Sequence, residues 1–268
     1  MKFDVNGRTA YAYTGGKPWA ASERCVVFVH GALHDHSVWT LLARWYAHHG
    51  YGVLAVDLPG HGRSSGPPLA SIEASADWLV ALLDAAGVAS AHLVGHSMGS
   101  LIALEAAARA PDRAAGLVMV GTAYPMKVSA ALLDTARDEP ARAIAMVNAF
   151  SHSGTASKPS YPGPGAWLHG ANSALMHRMQ DGGTADGNLF EHDFRVCDAY
   201  AHGLEAAAAV RCPVSLILGE RDVMTPPKAT AQLVETLRAR VMHVRAGHAL
   251  MQEAPDAVLA AMREAVPA

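Results

Sequence analysis

Ser97 stands in Gly95-His96-Ser97-Met98-Gly99, directly after the apolar run Leu93-Val94. A hydroxyl in this setting can act as a nucleophile. Where a strand turns sharply into a helix the serine projects from the turn, and glycines at 95 and 99 remove side chains that would collide across it. The N–H groups at the helix start then favour negative charge developing on a substrate oxygen. Serine is a weak nucleophile alone and needs a base, itself oriented by a carboxylate. Asp222, in Gly219-Glu220-Arg221-Asp222, and His248, in Gly247-His248, are the candidates, and Glu220 is the near competitor of Asp222. The chemistry such a set performs is acyl transfer through a covalent intermediate.

The elements that must position these groups alternate. Phe3 to Val5 and Thr9 to Tyr13 flank Asn6-Gly7, a dipeptide that accepts φ > 0 at both turn positions, and predict a β-hairpin. Strand-like apolar runs follow at Cys25 to Val29, Gly52 to Val56, Ala91 to Val94, Leu117 to Val120, Val214 to Leu218 and Val241 to Val244. Helical periodicity separates them, at Val38 to His49, Ile72 to Ala86, Met98 to Arg109, Ala229 to Arg240 and Pro255 to Val266. Strands apolar on both faces and separated by helices give an α/β fold, a mostly parallel sheet covered on both sides. Ser97, Asp222 and His248 each follow a strand, so they meet at one edge of such a sheet.

Between Tyr124 and Val210 the alternation stops. Helical patterns at Ser129 to Arg137, Ala141 to Phe150, Ala166 to Gln180 and Leu189 to Ala209 predict an all-helical cap over residues 124–210, inserted into a core of residues 1–123 and 211–268. A Gly/Pro/Ser-rich passage runs from Ser151 to Gly165, and three glycines in Asp181 to Asn188 predict a segment that lets part of the cap move. Tyr124, Met126, Met146, Phe150, Trp167, Leu168, Met176 and Met179 would supply an apolar roof.

The 268 residues suit one large domain, and 51% apolar against 17% charged residues exclude general disorder. A net charge of −3, without any Lys/Arg block, excludes the phosphate-neutralising surface that nucleic acid requires. No apolar run reaches the roughly 18 residues of a membrane span. The polar start Met1-Lys2-Phe3-Asp4 lacks a signal-peptide pattern, which predicts a cytoplasmic location. Cys25, Cys197 and Cys212, odd in number and far apart, read as reduced thiols. The 15 histidines show no metal-ligand spacing, so neither a metal nor a cofactor is expected. Monomer and homodimer are both left open.

With His30-Gly31-Ala32, Asp57-Leu58-Pro59-Gly60-His61-Gly62-Arg63-Ser64, Gly95-His96-Ser97-Met98-Gly99, Gly219-Glu220-Arg221-Asp222 and Gly247-His248 in this order, the chain resembles the α/β-hydrolase fold superfamily over nearly its whole length. The resemblance implies Ser97 as nucleophile, His248 as general base and then acid, and Asp222 as the residue that fixes the imidazole tautomer. The family's alternative acid position offers only Thr122, Ala123 and Tyr124, which favours Asp222. The oxyanion hole would be the backbone N–H groups of Ala32 and Met98. Leu33, His34, Tyr124, Trp167 and Met176 are the expected substrate-binding residues, while Asp35, His36 and Trp39 stand between pocket and surface. His30, His61 with Arg63, and Asp57 read as residues that hold turns, and His96 as a packing residue. A serine at the elbow disfavours dehalogenases and epoxide hydrolases, which place an aspartate there. Similarity to monoacylglycerol lipases and small carboxylesterases makes a carboxylic ester or thioester the expected substrate, and the apolar roof makes it small to medium and hydrophobic. Lactonase, C–C bond hydrolase, cofactor-free peroxidase and a ligand-binding receptor with a slow triad stay open.

Overall fold

A computed structural model describes residues 1–21, 24–154, 167–182 and 187–267. Residues 155–165 of the expected passage at Ser151 to Gly165 and residues 183–186 of the expected mobile segment at Asp181 to Asn188 lie outside the described residues.

The chain opens with a hairpin of β1 (Lys2–Val5) and β2 (Arg8–Tyr13), turned by Asn6 and Gly7 at φ of 53° and 76°. Six strands follow: β3 (Cys25–Val29), β4 (Gly52–Val56), β5 (Ala91–His96), β6 (Ala114–Val120), β7 (Val214–Gly219) and β8 (Arg240–Val244). They form one eight-stranded sheet in the order β1-β2-β4-β3-β5-β6-β7-β8, antiparallel where β1 pairs β2 and β2 pairs β4 and parallel elsewhere. Strands β3, β4 and β7 are buried at every residue, which is why they read as unbroken apolar runs.

Helices α1 (Thr40–His48), α2 (Ile72–Ala85) and α3 (Met98–Arg109) connect the first strands, and α9 (Ala231–Leu237), α10 (Leu250–Glu253) and α11 (Pro255–Ala265) close the chain. Two apolar clusters result. On one face α2 and α3 cover the sheet, with Leu79, Leu82, Leu101 and Leu104 fully buried; on the other Trp39, Tyr46, Val258 and Met262 do so. Two expected helices are shorter than their periodicity. His36–Trp39 is a 3₁₀ turn capped by Asp35, whose carboxylate accepts from Ser37 N–H. Pro227–Thr230 is another such turn, and left-handed Arg238, at φ 49°, ends α9.

Between β6 and β7 lie α4 (Ala130–Asp138), α5 (Pro140–Ser151), α6 (Leu168–Gly182), α7 (Leu189–Ala199) and α8 (Gly203–Ala209). A third cluster joins Ile144, Val147, Met176, Met179 and Phe190 of these helices to Leu33 of the loop after β3. The expected single helix from Leu189 to Ala209 is broken. Tyr200 is extended, its hydroxyl donates to buried Glu105 of α3 at 2.6 Å, and that anchor ends α7 and turns the chain into α8. Val196, Cys197, Ala206 and Ala207 consequently pack into the cluster over α3, so the end of the insertion belongs to the sheet's covering layer.

Candidate active site

The sheet order reverses at β3, which pairs β4 on one side and β5 on the other. The loops leaving the carboxyl ends of β3 and β5 therefore diverge and leave a crevice between them. Gly31 and Ala32 come from the first loop and Ser97 from the second. A Cβ on Gly31 would sit 3.1 Å from the Ser97 Cβ, so the loop after β3 lies directly against the serine.

Ser97 has φ 52° and ψ −121°, a conformation that L residues avoid. Its surroundings hold it there. Ser97 N–H donates to Val120 O at 3.0 Å, and the Ser100 hydroxyl donates to Ser97 O at 2.5 Å. A Cβ on Gly95 would lie 2.0 Å from Gly99 O, and one on Gly99 would lie 2.4 Å from Val29 O. Both glycines are therefore obligatory for this turn.

Asp222 and His248 follow β7 and β8. His248 Nδ1 lies 2.8 Å from Asp222 Oδ2, and both residues are buried. Oδ1 of Asp222 accepts from Met224 N–H and Thr225 N–H at 2.9 and 2.8 Å, and Oδ2 accepts from the Thr225 hydroxyl at 2.7 Å. Burial pushes this carboxyl up, but the His248 imidazole and these donors outweigh burial and hold it below the usual carboxylate range. An ionised Asp222 that holds Nδ1–H leaves Nε2 as the nitrogen able to accept a proton. Glu220, the competitor, is exposed and lies 3.9 Å from the exposed Arg245.

Ser97, His248, Gly31, Ala32, His34 and His96 line one cavity of about 340 Å³. Its remaining wall is mostly carbon, from Met126, Val128, Leu132, Val147, Phe150, Phe194, Val223 and Met224, with Lys127, Ser129, Ser151, Thr225 and Cys197 among them. Of the expected substrate residues only His34 lines it. Met176 is fully buried in the insertion's core, because α6 turns it toward Ile144 and Phe190. Trp167 is 56% exposed. Tyr124 packs on Tyr200 and donates to Ala201 O. Leu33, at φ 56°, is buried in the same core as Met176. Met126 and Phe150 of the expected roof do face the cavity, whereas Met98 is buried at the start of α3 beside it.

The remaining histidines sort by hydrogen bonding. His30 Nε2 accepts from Leu58 N–H, and burial lowers its pKa to about 4. His96 donates to His248 O at 2.9 Å; burial and then the neighbouring His248 keep it far below the usual imidazole range, hence neutral. His34 Nδ1 lies 2.7 Å from Ala32 O and Nε2 2.9 Å from Asn172 Oδ1, and burial lowers its pKa. Asp57 holds the loop after β4, accepting from His36 N–H and Arg63 N–H. Asp35, His36 and Asp57 bring ligand-type atoms within 4.8 Å of one another, but Asp35 pairs with Arg178 and Ser37 and Asp57 faces the His36 ring. Trp39, fully buried, belongs to the core. The described cysteines are all free, and no described helix is long and apolar enough to cross a membrane.

Two buried carboxylates beside the site escape the motif reading. Asp193 of α7, 2% exposed, accepts from Leu33 N–H at 2.8 Å and lies 2.9 Å from His61 Nε2. His61 Nδ1 faces Pro59 O at 3.1 Å. Both ring nitrogens thus face acceptors, which suits imidazolium: burial lowers the His61 pKa, but Asp193 more than reverses this and the net shift is upward. His61 was expected to tie down its own turn; it also ties that turn to the helical insertion. The available signal was a carboxylate on the apolar face of α7, among Leu189, Phe190, Phe194 and Cys197. Glu253 is the other. Its carboxylate accepts from Gly247 N–H, Ser153 N–H and the Ser153 hydroxyl, clamping the residue before His248 to the end of α5.

Comparison with known proteins agrees with this architecture. A family described as alpha/beta hydrolase fold matches residues 24–255. The chain is 35% identical over 232 residues to a pimeloyl-[acyl-carrier protein] methyl ester esterase of Chromobacterium violaceum, covering 80% of each chain. It is 38% identical over 120 residues to the dihydrolipoyllysine-residue acetyltransferase component of an acetoin cleaving system of Cupriavidus necator, covering 44% of this chain but only 30% of that relative's length. An esterase from Exiguobacterium antarcticum superposes with a TM-score of 0.82 at 15% identity, over 100% of this chain and 99% of the other, a likeness of fold.

Proposed function

Because the chain belongs to the alpha/beta hydrolase fold family, we propose that it hydrolyses a small to medium hydrophobic carboxylic ester or thioester through an acyl-enzyme on Ser97. The observation that carries the reading is a serine held at φ 52° in the cavity of a histidine whose Nδ1 a buried carboxylate occupies at 2.8 Å.

In this reading Ser97 Oγ attacks the ester carbonyl as His248 Nε2 takes its proton. The backbone N–H groups of Ala32 and Met98 receive the oxyanion, each contributing about 3–4 kcal/mol to the transition state. His248 then returns the proton to the leaving alcohol or thiol, the tetrahedral carbon collapses to the acyl-enzyme, and water reverses the sequence to release the acid. Asp222 keeps the imidazole in the required tautomer and stays ionised. His96, neutral, donates to the His248 carbonyl and supports the loop without adding a competing charge.

A cavity of about 340 Å³ is near the small end of ligand sites. Its carbon walls favour an apolar acyl or alcohol group, and Met126 and Met224 adapt to its shape. The relative that shares 80% of its length is named for a methyl ester of an acyl group, in keeping with an acyl chain in this cavity and a small leaving group. Labelling with a fluorophosphonate, followed by an ester chain-length profile, tests the reading. Covalent modification of Ser97 and turnover of short, uncharged esters are expected. An intact rate in Ser97→Ala, or turnover confined to charged acyl groups, would overturn it.

A further inference from the structure

Among the described residues, three cavities run in series along the seam between the helical insertion and the loops of the sheet. The cavity at Ser97 shares His34, His96, Ser151 and His248 with a second of about 20 Å³. That small one in turn shares Val38, Met251 and Gln252 with an outer groove of about 720 Å³ between α1, α6 and α11, on whose wall the exposed Leu41 lies. The path narrows sharply at its middle. A space of about 20 Å³ has room for roughly one water.

To the imidazoles of His34, His96 and His248, which it shares with the front cavity, its wall adds the amides of Asn172 and Gln252. Asn172 Oδ1 accepts from Gln252 Nε2 at 3.2 Å and lies 2.9 Å from His34 Nε2, while Gln252 Oε1 stands 3.4 Å from His152 Nε2. Gln252 keeps a second Nε2 hydrogen and a second Oε1 lone pair, the two partners that a water needs as a minimum. Gln252 is half-buried, lines both the small space and the outer groove, and is held by contacts of 3.2 and 3.4 Å.

Resting on the serine-esterase reading above, we propose that this narrow passage is the water entrance of the site, with the amides of Gln252 and Asn172 at its narrowest point. While the acyl group fills the apolar cavity, water reaches the acyl-enzyme from behind His248. There the water oxygen bonds to the acyl carbon and its proton passes to His248 Nε2. That proton moves to Ser97 Oγ as the acyl–serine bond breaks and the acid leaves. The passage admits nucleophiles of water's size and polarity and excludes larger alcohols.

Stopped-flow kinetics with a p-nitrophenyl ester separates acylation from deacylation, and intact mass reports the acyl-enzyme. Gln252→Leu, which keeps the side chain's bulk and removes its polar end, should leave the acylation burst unchanged. It should slow deacylation roughly tenfold, the worth of one buried hydrogen bond to water, so that the acyl-enzyme accumulates. Gln252→Ala, which widens the passage, should raise the share of acyl groups captured by added ethanol relative to water. Unchanged deacylation in Gln252→Leu, equal slowing of both steps, or ethanol capture insensitive to Gln252→Ala would overturn the passage. Failure of a fluorophosphonate to label Ser97 in the unaltered protein would instead overturn the serine mechanism beneath it.

Discussion

Replacing Asp193 by alanine tests whether the helical insertion helps to build the catalytic loop. The change removes the charge facing His61 and the acceptor of Leu33 N–H, both in a site with almost no solvent access. Breaking a buried pair while its partner stays charged costs about 3–5 kcal/mol. His61 can avoid this by losing its proton, which leaves the unpaired Leu33 N–H, about 1–3 kcal/mol. The two limits apply at different pH. His61 is raised above its usual 6.5, so its contribution is complete below that value and is lost as pH climbs through the folded pKa. Asp193 is lowered below 3.8, the pull of His61 and its hydrogen bonds overcoming burial, so its contribution is present above 3.8 and lost in stronger acid. The pair therefore stabilises most between pH 3.8 and 6.5. Denaturant unfolding should show Asp193→Ala losing about 1–3 kcal/mol near pH 8. The loss should grow, by up to about 1.4 kcal/mol per pH unit, as pH falls through the folded pKa of His61 to 6.5. Because Leu33 follows Ala32, kcat should fall as well, with the roughly 10²–10³-fold worth of an oxyanion donor as its ceiling. Asp193→Asn keeps an acceptor for Leu33 and should retain most of kcat while flattening the pH dependence of stability. A destabilisation equal at pH 5 and pH 8, or an Asn variant as slow as the Ala variant, would refute the reasoning.

Other consequences are independent of that latch. Asp222→Asn should fold with its turn intact and lose on the order of 10⁴ in kcat, since the imidazole would adopt the wrong tautomer; retained activity with Asp222 altered and lost activity with Glu220→Gln would move the acid to Glu220. Thr225→Val removes a hydroxyl donor to Asp222 Oδ2, and should cost about 1.5–3 kcal/mol of stability by equilibrium unfolding, the range for a bond to a charged group. Met176→Ala, at a fully buried site, should cost about 2–5 kcal/mol with little change in acyl-chain preference; a marked change in that preference would return Met176 to the pocket. Cys197 lines the cavity, but burial pushes its thiol far above the usual range, so iodoacetamide at pH 8 should neither label it nor slow turnover, as activity and mass measured together would report.

Periodicity made most of the fold legible because its strands are buried on both faces and its helices on one. Cys25–Val29, Gly52–Val56 and Val214–Gly219 are apolar throughout and appear where the pattern puts them. Where a long-range anchor competed with local preference, the pattern failed: Tyr200, held by Glu105 95 positions earlier in the chain, splits a stretch that reads as one helix. The motif residues were legible for a local reason. Gly95 and Gly99 are required by contacts within a few residues of Ser97 and by the adjacent strand, and such needs leave glycine in the sequence. The pocket was not legible, because apolarity marks burial without saying against what. Met126 and Phe150 face the cavity, while Met176, no less apolar, faces the insertion's own core.

What the amino-acid sequence determined by itself, then, was the α/β class, the strand-to-helix turn that exposes Ser97, and a histidine and a carboxylate placed after later strands. Each of these follows from period, turn chemistry or residue type over a short span. Tertiary structure alone decided the 2.8 Å contact between His248 and Asp222, the choice of cavity walls, and the tie of Asp193 to His61 and Leu33. Those depend on segments more than 20 positions apart approaching within hydrogen-bond distance. Packing of the whole chain sets that approach, and no local pattern records it.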